Sequence, residues 1–255
     1  VDRSVKPVIP PPGPADVGLV AALPIEIAPF LSRLREVRKY KGPRYTITEG
    51  ECLGRLVAIV VTGPGRKLAR RGAELLIAGH RPSWVVSAGF AGGLAPDLRR
   101  NDVLLASEIL DEDGGRFTID LHVPPPASGI GPRFLSGRLL TVDRIIRTAA
   151  EKANLRRRFE ADAVDMETSA VAQVCGERGV RFLPVRVISD EAGTDLPPEV
   201  LSILGGSGGY RVGAAFGAIW RRPSSVMDLL SLREHAQASA RRLAEILPGI
   251  LSRLP

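Results

Sequence analysis

The chain has 255 residues, 44% hydrophobic and 25% charged, enough to cover one sizeable α/β core as a single domain. No apolar run approaches the roughly 18 residues that a membrane span needs, and the opening segment lacks the apolar heart of a secretory signal, so a soluble, cytoplasmic protein is expected. The net charge of +7 is scattered over pairs and triplets such as Arg70-Arg71 and Arg156-Arg157-Arg158, with only 5% aromatic residues, which speaks for a solvated arginine-rich surface and against nucleic-acid binding.

Residues 1–15 carry Pro7, Pro10, Pro11, Pro12 and Pro14 and read as an extended tail ahead of a domain over 16–255. Val17 to Leu23 is an apolar run suited to a buried strand, and Pro24 opens a helix through about Arg35. Tyr45 to Glu49 and Leu56 to Val61 read as meander strands, with Gly50 to Gly54 as their turn. After Gly63-Pro64-Gly65, a helix presents Leu68, Ala69, Ala73, Leu76 and Ile77 on one face and ends at Gly79. Trp84 to Ala88 is another buried strand, Val103 to Leu110 alternates like an edge strand, and Asp111 to Gly115 is a turn. Pro124 to Gly137 is read as a loop rimming the site. Arg138 to Val142 then returns as a strand, Ile145 to Ala153 as a helix, Ala163 to Asp165 as a strand that feeds a helix, and Val180 to Ser189 as the last long strand. From about 197 to 255 comes a helical extension. Strands alternating with helices point to an α/β fold with a central mixed sheet flanked by helices. Cys52 and Cys175, far apart and without metal-ligand spacing, are expected to be buried reduced thiols, and no metal is implied.

Chemistry concentrates in three places. Ala163 to Ala172, followed by Val185-Arg186-Val187-Ile188-Ser189-Asp190, sets carboxylates at both ends of one β-α-β unit. Two acids so placed can grip a sugar and protonate a leaving group. Upstream, Gly18 to Glu26 runs from strand to helix with an acid in the first turn, a position that the helix dipole alone would also favour. Ser87 to Leu94 adds the glycine-rich Gly89-Phe90-Ala91-Gly92-Gly93-Leu94, read as a turn. Cleaving an N-glycosidic bond passes through a sugar of oxocarbenium character and needs an acid for the departing base, a grip on the ribose hydroxyls and a positioned nucleophile. An aspartate ending a buried strand, as Asp190 does, is costly to bury without a partner.

These motifs resemble the nucleoside phosphorylase and nucleosidase superfamily, of the purine nucleoside phosphorylase and uridine phosphorylase type, and within it most closely the methylthioadenosine/S-adenosylhomocysteine nucleosidases, over about Val17 to Ala192. The resemblance implies that Glu26 activates water, that Glu167 grips the ribose 2' and 3' hydroxyls with Met166 against the sugar, and that Asp190 protonates or hydrogen-bonds purine N7. It implies that Arg186 orients the nucleophile or the carboxylates. Asp165, Ser189, Gly89, Ala91 and Phe90 join the candidate substrate contacts, together with Ile145 and Ile146 at the base. The chain departs from the close nucleosidases in two places: Phe90 stands where they have a serine, and Ile145 and Ile146 stand where they have a base-stacking aromatic and its neighbour.

The expected reaction is hydrolysis of an adenine nucleoside, in nucleoside catabolism and methionine salvage, by a homodimer without cofactor. The first alternative is phosphorolysis with inorganic phosphate as co-substrate. A carboxylate at the nucleophile repels that dianion, whereas Arg66, Lys67 or Arg186 could build a site for it where Gly63-Pro64-Gly65 precedes a helix. Ile219-Trp220-Arg221-Arg222-Pro223 and the basic C-terminal helix, with Val226, Leu229, Leu230, Ala236, Ala240, Leu243, Leu247, Ile250 and Leu251 at helical spacing, are similar to the tail of hopanoid-associated phosphorylases. That implies a lipid-linked adenosine as an alternative substrate and a membrane or lipid contact for this helix, against the plainer reading that it covers its own core or a dimer interface. The second alternative is a non-catalytic nucleoside-binding protein on the same fold. His80, His122 and His235 form no catalytic set; His80 suits a helix end.

Overall fold

The structure is a computed structural model that describes residues 13–42, 45–120, 133–197 and 224–255, with side chains from 233 onward in the last stretch. The elements in chain order are β1 (Val17–Ala21), α1 (Pro24–Leu31), β2 (Arg35–Lys41), β3 (Thr46–Cys52), β4 (Arg55–Val61), α2 (Arg66–His80), β5 (Trp84–Gly93), β6 (Val103–Asp111), β7 (Arg116–Thr118), β8 (Phe134–Thr141), α3 (Ala149–Phe159), β9 (Ala163–Asp165), α4 (Thr168–Arg178), β10 (Arg181–Asp190) and a final helix, α5 (Ser224–Leu251).

All strands among the described residues belong to one mixed sheet. Five of them close on themselves: β5 runs parallel to β10, β10 antiparallel to β6, β6 parallel to β8, β8 parallel to β9, and β9 antiparallel to β5. From β5 a wing extends through β1, β4, β3 and β2. β1, β5 and β10 are parallel neighbours and apolar nearly throughout, as strands covered on both faces must be. Their carboxyl ends therefore point the same way, where an open α/β sheet places its ligand.

Helices cover both faces. On one side α1 and α5 pack together, and Leu243, Leu247 and Ile250 of α5 join Phe30, Trp84, Val86 and Val185 in a continuous apolar core. On the other, α2 and α4 seal Val60, Leu76, Val85 and Val171. The described apolar face of α5 is thus spent on the chain's own core, the plainer of the two readings of this helix. Residues 219–223 and His122 lie outside the described residues, as do most of the proline-rich tail and positions 124–132 of the expected rim loop.

Several boundaries differ from expectation. α1 stops at Leu31 rather than near Arg35, with Ser32 as its C-cap, and Arg35–Lys41 forms an exposed, highly charged edge strand. Val103–Asp111 is no edge: ring closure gives β6 partners on both sides and β7 besides. β8 begins at Phe134, inside the segment read as loop. α3 begins only at Ala149, where Thr148 and Glu151 form a reciprocal capping box.

The glycine-rich segment is strand rather than turn, since β5 continues to Gly93 and pairs there with β9. Its glycines serve close approach: a Cβ on Gly89 would stand 2.7 Å from Glu26 Oε1, and one on Gly92 would stand 3.2 Å from Asp190 Oδ2.

Candidate active site

Glu26, at the third position of α1, is 4% exposed. Its carboxylate accepts the amide hydrogens of Ala22 at 3.0 Å and Leu23 at 2.7 Å on Oε2, and that of Phe90 at 2.9 Å on Oε1. The bond to Leu23 is the backward reach of a helix-capping glutamate; the bond to Phe90 ties the same carboxylate to β5. Burial pushes its pKa above the ordinary value, against the amides of Leu23 and Phe90 and the Arg186 charge, which pull it down. A carboxylate so raised is tuned toward general-base work.

Glu167 stands at the N-cap position of α4, just after β9, with its side chain turned away from the helix amides. Its Oε1 accepts from the Gly65 amide at 2.7 Å and its Oε2 from the Met166 amide at 3.3 Å. Met166 and Glu167 keep partial exposure. Burial, then the neighbouring Asp165 charge, lift the Glu167 pKa to about 8. Glu26, Glu167 and Arg186 share the walls of a small cavity with Ala22, Thr62 and Ser87; its volume of about 10 Å³ is room for roughly one water. A larger open groove of about 590 Å³ beside Arg138 and Arg156 contains neither glutamate.

Arg186 is 3% exposed, and its donors are spent on protein. It donates to the Ser87 carbonyl (2.9 Å) and hydroxyl (2.8 Å), to the Val185 carbonyl (2.9 Å), to Thr168 Oγ1 (2.6 Å) and to Asp165 Oδ2 (2.8 Å). Asp165, 6% exposed, also accepts from Thr141 Oγ1 at 2.8 Å and from the Thr168 amide at 3.0 Å. Asp165, expected as a substrate contact, is buried here as the partner of Arg186. Arg186, expected to orient the nucleophile or the carboxylates, bonds the Asp165 carboxylate and acts on Glu26 and Glu167 through its charge.

Asp190 ends β10 just past a register shift and is 6% exposed. Ser189 donates its hydroxyl proton to Asp190 Oδ1 at 2.6 Å, with the Ala91 carbonyl 3.3 Å from the same hydroxyl oxygen. The other carboxylate oxygen lies 2.6 Å from Nζ of Lys152, a fully buried lysine on α3. Sequence reading placed Lys152 in a helix and passed over it. Its signal was there: Lys152 shares with Leu155 the buried face of α3, and a lysine on such a face requires an anionic partner.

The remaining candidates separate. Gly89 touches Glu26, and Phe90 is partly exposed beside its own bonded amide. The Ala91 side chain lies in an apolar cluster with Leu104 and Ile188, and Ile146 packs with Leu155 and Val164; both belong to the core, and only Ile145 of the isoleucine pair retains exposure. Arg66, weighed as an anion ligand, is engaged by Asp111 at 2.6 Å, by Asp113 at 2.8 Å and by Asp143. The Gly65 amide at the start of α2 is taken by Glu167. His80 is buried and paired with Glu49 at 2.8 Å, and both cysteines are free and buried.

The fold is a mixed α/β sheet with buried acids gathered at the carboxyl ends of its parallel strands, and comparison with known proteins places it in a family. The Phosphorylase superfamily profile matches residues 16–204, and the chain belongs to that family. It is 28% identical over 197 residues to the 5'-methylthioadenosine/S-adenosylhomocysteine nucleosidase of Baumannia cicadellinicola subsp. Homalodisca coagulata, covering 69% of this chain and 86% of that protein. Among solved structures it is similar to the nucleosidase of the same name from Colwellia psychrerythraea in complex with adenine, with a TM-score of 0.69 and 22% identity over 94% of this chain and 96% of the other. The nucleosidase from S. pneumoniae with a transition-state inhibitor gives a TM-score of 0.73 and 18% identity over 94% and 99%.

Proposed function

We propose that the protein hydrolyses the N-glycosidic bond of an adenine nucleoside of the methylthioadenosine or S-adenosylhomocysteine type, with water as nucleophile. The observation that carries the reading is the Glu26 carboxylate, fastened by three backbone amides and lining, with Glu167 and Arg186, a cavity the size of one water. Three convergent amides are what an incoming phosphate would require, and here a side-chain carboxylate already occupies them. Arg66 is held by three aspartates and Arg186 by its own buried partners, so neither is available to neutralise a dianion.

In this reading Glu26 takes a proton from water as the oxygen attacks the anomeric carbon, and Glu167 accepts hydrogen bonds from the ribose hydroxyls with Met166 against the sugar. Asp190 serves the departing base at N7. Arg186 stays fixed and supplies positive potential to both glutamates. The names of the nucleosidase relatives support the substrate class. We further propose a homodimer acting in the cytoplasm in nucleoside catabolism and methionine salvage, without cofactor; two buried free thiols suit a reducing compartment.

Incubation of the pure protein with methylthioadenosine in phosphate-free buffer should release adenine and free methylthioribose. Strict dependence on added phosphate, with a sugar 1-phosphate product, would replace hydrolysis by phosphorolysis. No release under either condition would leave a binding protein.

A further inference from the structure

We propose that Lys152 is the positioning residue for Asp190: it fixes the carboxylate that faces the base and stabilises the negative charge that develops there as the leaving purine takes up a proton. The inference rests on the nucleosidase reading, in which Asp190 serves N7.

Lys152 is fully buried; its ammonium donates to two carbonyls and makes an ion-pair contact, without hydrogen-bond geometry, to Asp190. Nζ lies 2.6 Å from Asp190 Oδ2, 2.7 Å from the Glu191 carbonyl and 2.8 Å from the Thr194 carbonyl. Ordering and desolvating an ammonium is costly, and a methionine of similar length would fill the same apolar space on α3 without that cost. The two carbonyls fix the direction of the ammonium independently of Asp190, so Lys152 holds the carboxylate and not the reverse.

The anchor is itself braced. The segment after β10 is stitched to the start of α3 by Asp195, which accepts the Ala149 amide hydrogen at 2.7 Å, and by the Leu196 amide, which donates to the Arg147 carbonyl at 2.8 Å. Ser189 holds the opposite carboxylate oxygen. Asp190 is thus held by a hydrogen bond from Ser189 on Oδ1 and by the Lys152 charge beside Oδ2, from two different elements.

In the chemical step the C1'–N9 bond breaks and its electron pair passes to the purine. Asp190, the anion paired with Lys152 at rest, takes up a solvent proton as substrate binds, passes it to N7 and returns to the anion. A fixed cation at 2.6 Å in a buried setting favours that anion, and because the cation is already in place no reorganisation is needed as the charge appears. Substrates whose leaving group departs without protonation have no use for this help.

The test compares wild type, Lys152→Met and Lys152→Arg on methylthioadenosine and on 4-nitrophenyl β-D-riboside, whose phenolate leaves unprotonated. For Lys152→Met we expect kcat on methylthioadenosine to fall about 10²-fold, in the range of a lost general acid, with KM changing far less and aryl-riboside hydrolysis staying near wild type. Lys152→Arg should recover much of the loss. Should Lys152→Met fail to fold, Lys152→Gln, which keeps a donor for the carbonyls without the charge, is read by the same ratio. Equal loss on both substrates in a folded variant, or no loss on methylthioadenosine, overturns the inference alone. A wild type inert toward both substrates overturns the nucleosidase reading beneath it.

Discussion

The carboxylate of Glu26 and the backbone amide of Phe90, 64 residues apart in sequence, meet at 2.9 Å. This bond turns a helix-capping glutamate into a fixed part of the site, since the residue that caps α1 is also latched to β5. It further makes Phe90 useful without its side chain: where close nucleosidases have a serine, the backbone N–H at this position still holds the acid.

Glu26→Gln should therefore lose more than charge. An amide has a single acceptor oxygen and would set its NH₂ against at least one of the three N–H donors that converge here. We expect kcat to fall roughly 10²- to 10⁴-fold, the range of a lost general base, while circular dichroism stays native. Retention of kcat within a few-fold of wild type would remove Glu26 from the reaction.

Gly89→Ala tests the same contact from the strand side. The added methyl would sit 2.7 Å from Glu26 Oε1, closer than non-bonded atoms approach, so either the carboxylate or β5 must shift. The cost in stability should be about 1–3 kcal/mol, as for overpacking elsewhere, measured by urea denaturation. The loss in kcat should exceed what this small methyl would cause by blocking substrate, with KM changed less than kcat. A variant with wild-type kcat would mean that Glu26 need not be held where it is.

How much of this was readable beforehand depends on the range of the interactions. The β1–α1 unit, the β9–α4 junction and β10 were legible because each is a local pattern, an apolar run that ends at an acid. Glu26 and Glu167, which line one cavity, and Asp190, which ends β10, stand at those local boundaries. The closed ring was not legible, since closure depends on β9 pairing with β5 across Gly92 and Gly93, and a glycine-rich stretch reads as a turn unless its distant partner is known. Asp165 reads as a ligand from its place beside Met166 and Glu167; only the fold reveals Arg186 at 2.8 Å. Lys152 carried a sequence signal, but its partner lies beyond β9 and α4, at the end of β10.

Arg186→Met should be a stability variant before it is a kinetic one. The substitution leaves the buried Asp165 carboxylate without its cation, with only hydrogen bonds from Thr141 and Thr168, and removes a donor from the Ser87 carbonyl. Breaking a buried ion pair by removing one partner typically costs about 3–5 kcal/mol. Urea denaturation of variant and wild type gives the value directly. A loss below about 1 kcal/mol would show that the guanidinium is not the scaffold described.

Glu167 gives the site a signature in stability against pH. Burial and the Asp165 charge hold its folded pKa at about 8, against an ordinary value of 4.5. Between those two values the folded protein keeps a proton that the unfolded chain has released, so folding binds protons across the window and stability falls as pH rises through it. The contribution of the neutral side chain is fully present below about pH 4.5 and is lost as pH climbs through 8. Glu26, also raised by burial, adds a slope of the same sign. Glu167→Gln removes the first of these groups while its amide can still accept the Gly65 N–H. The unliganded variant should therefore lose less Tm than wild type between pH 5.5 and 8.5, with the difference growing toward the alkaline end. Parallel Tm curves for the two proteins would mean that Glu167 is already ionised in the folded state at neutral pH, and that its carboxylate needs no deprotonation before it can accept the ribose hydroxyls.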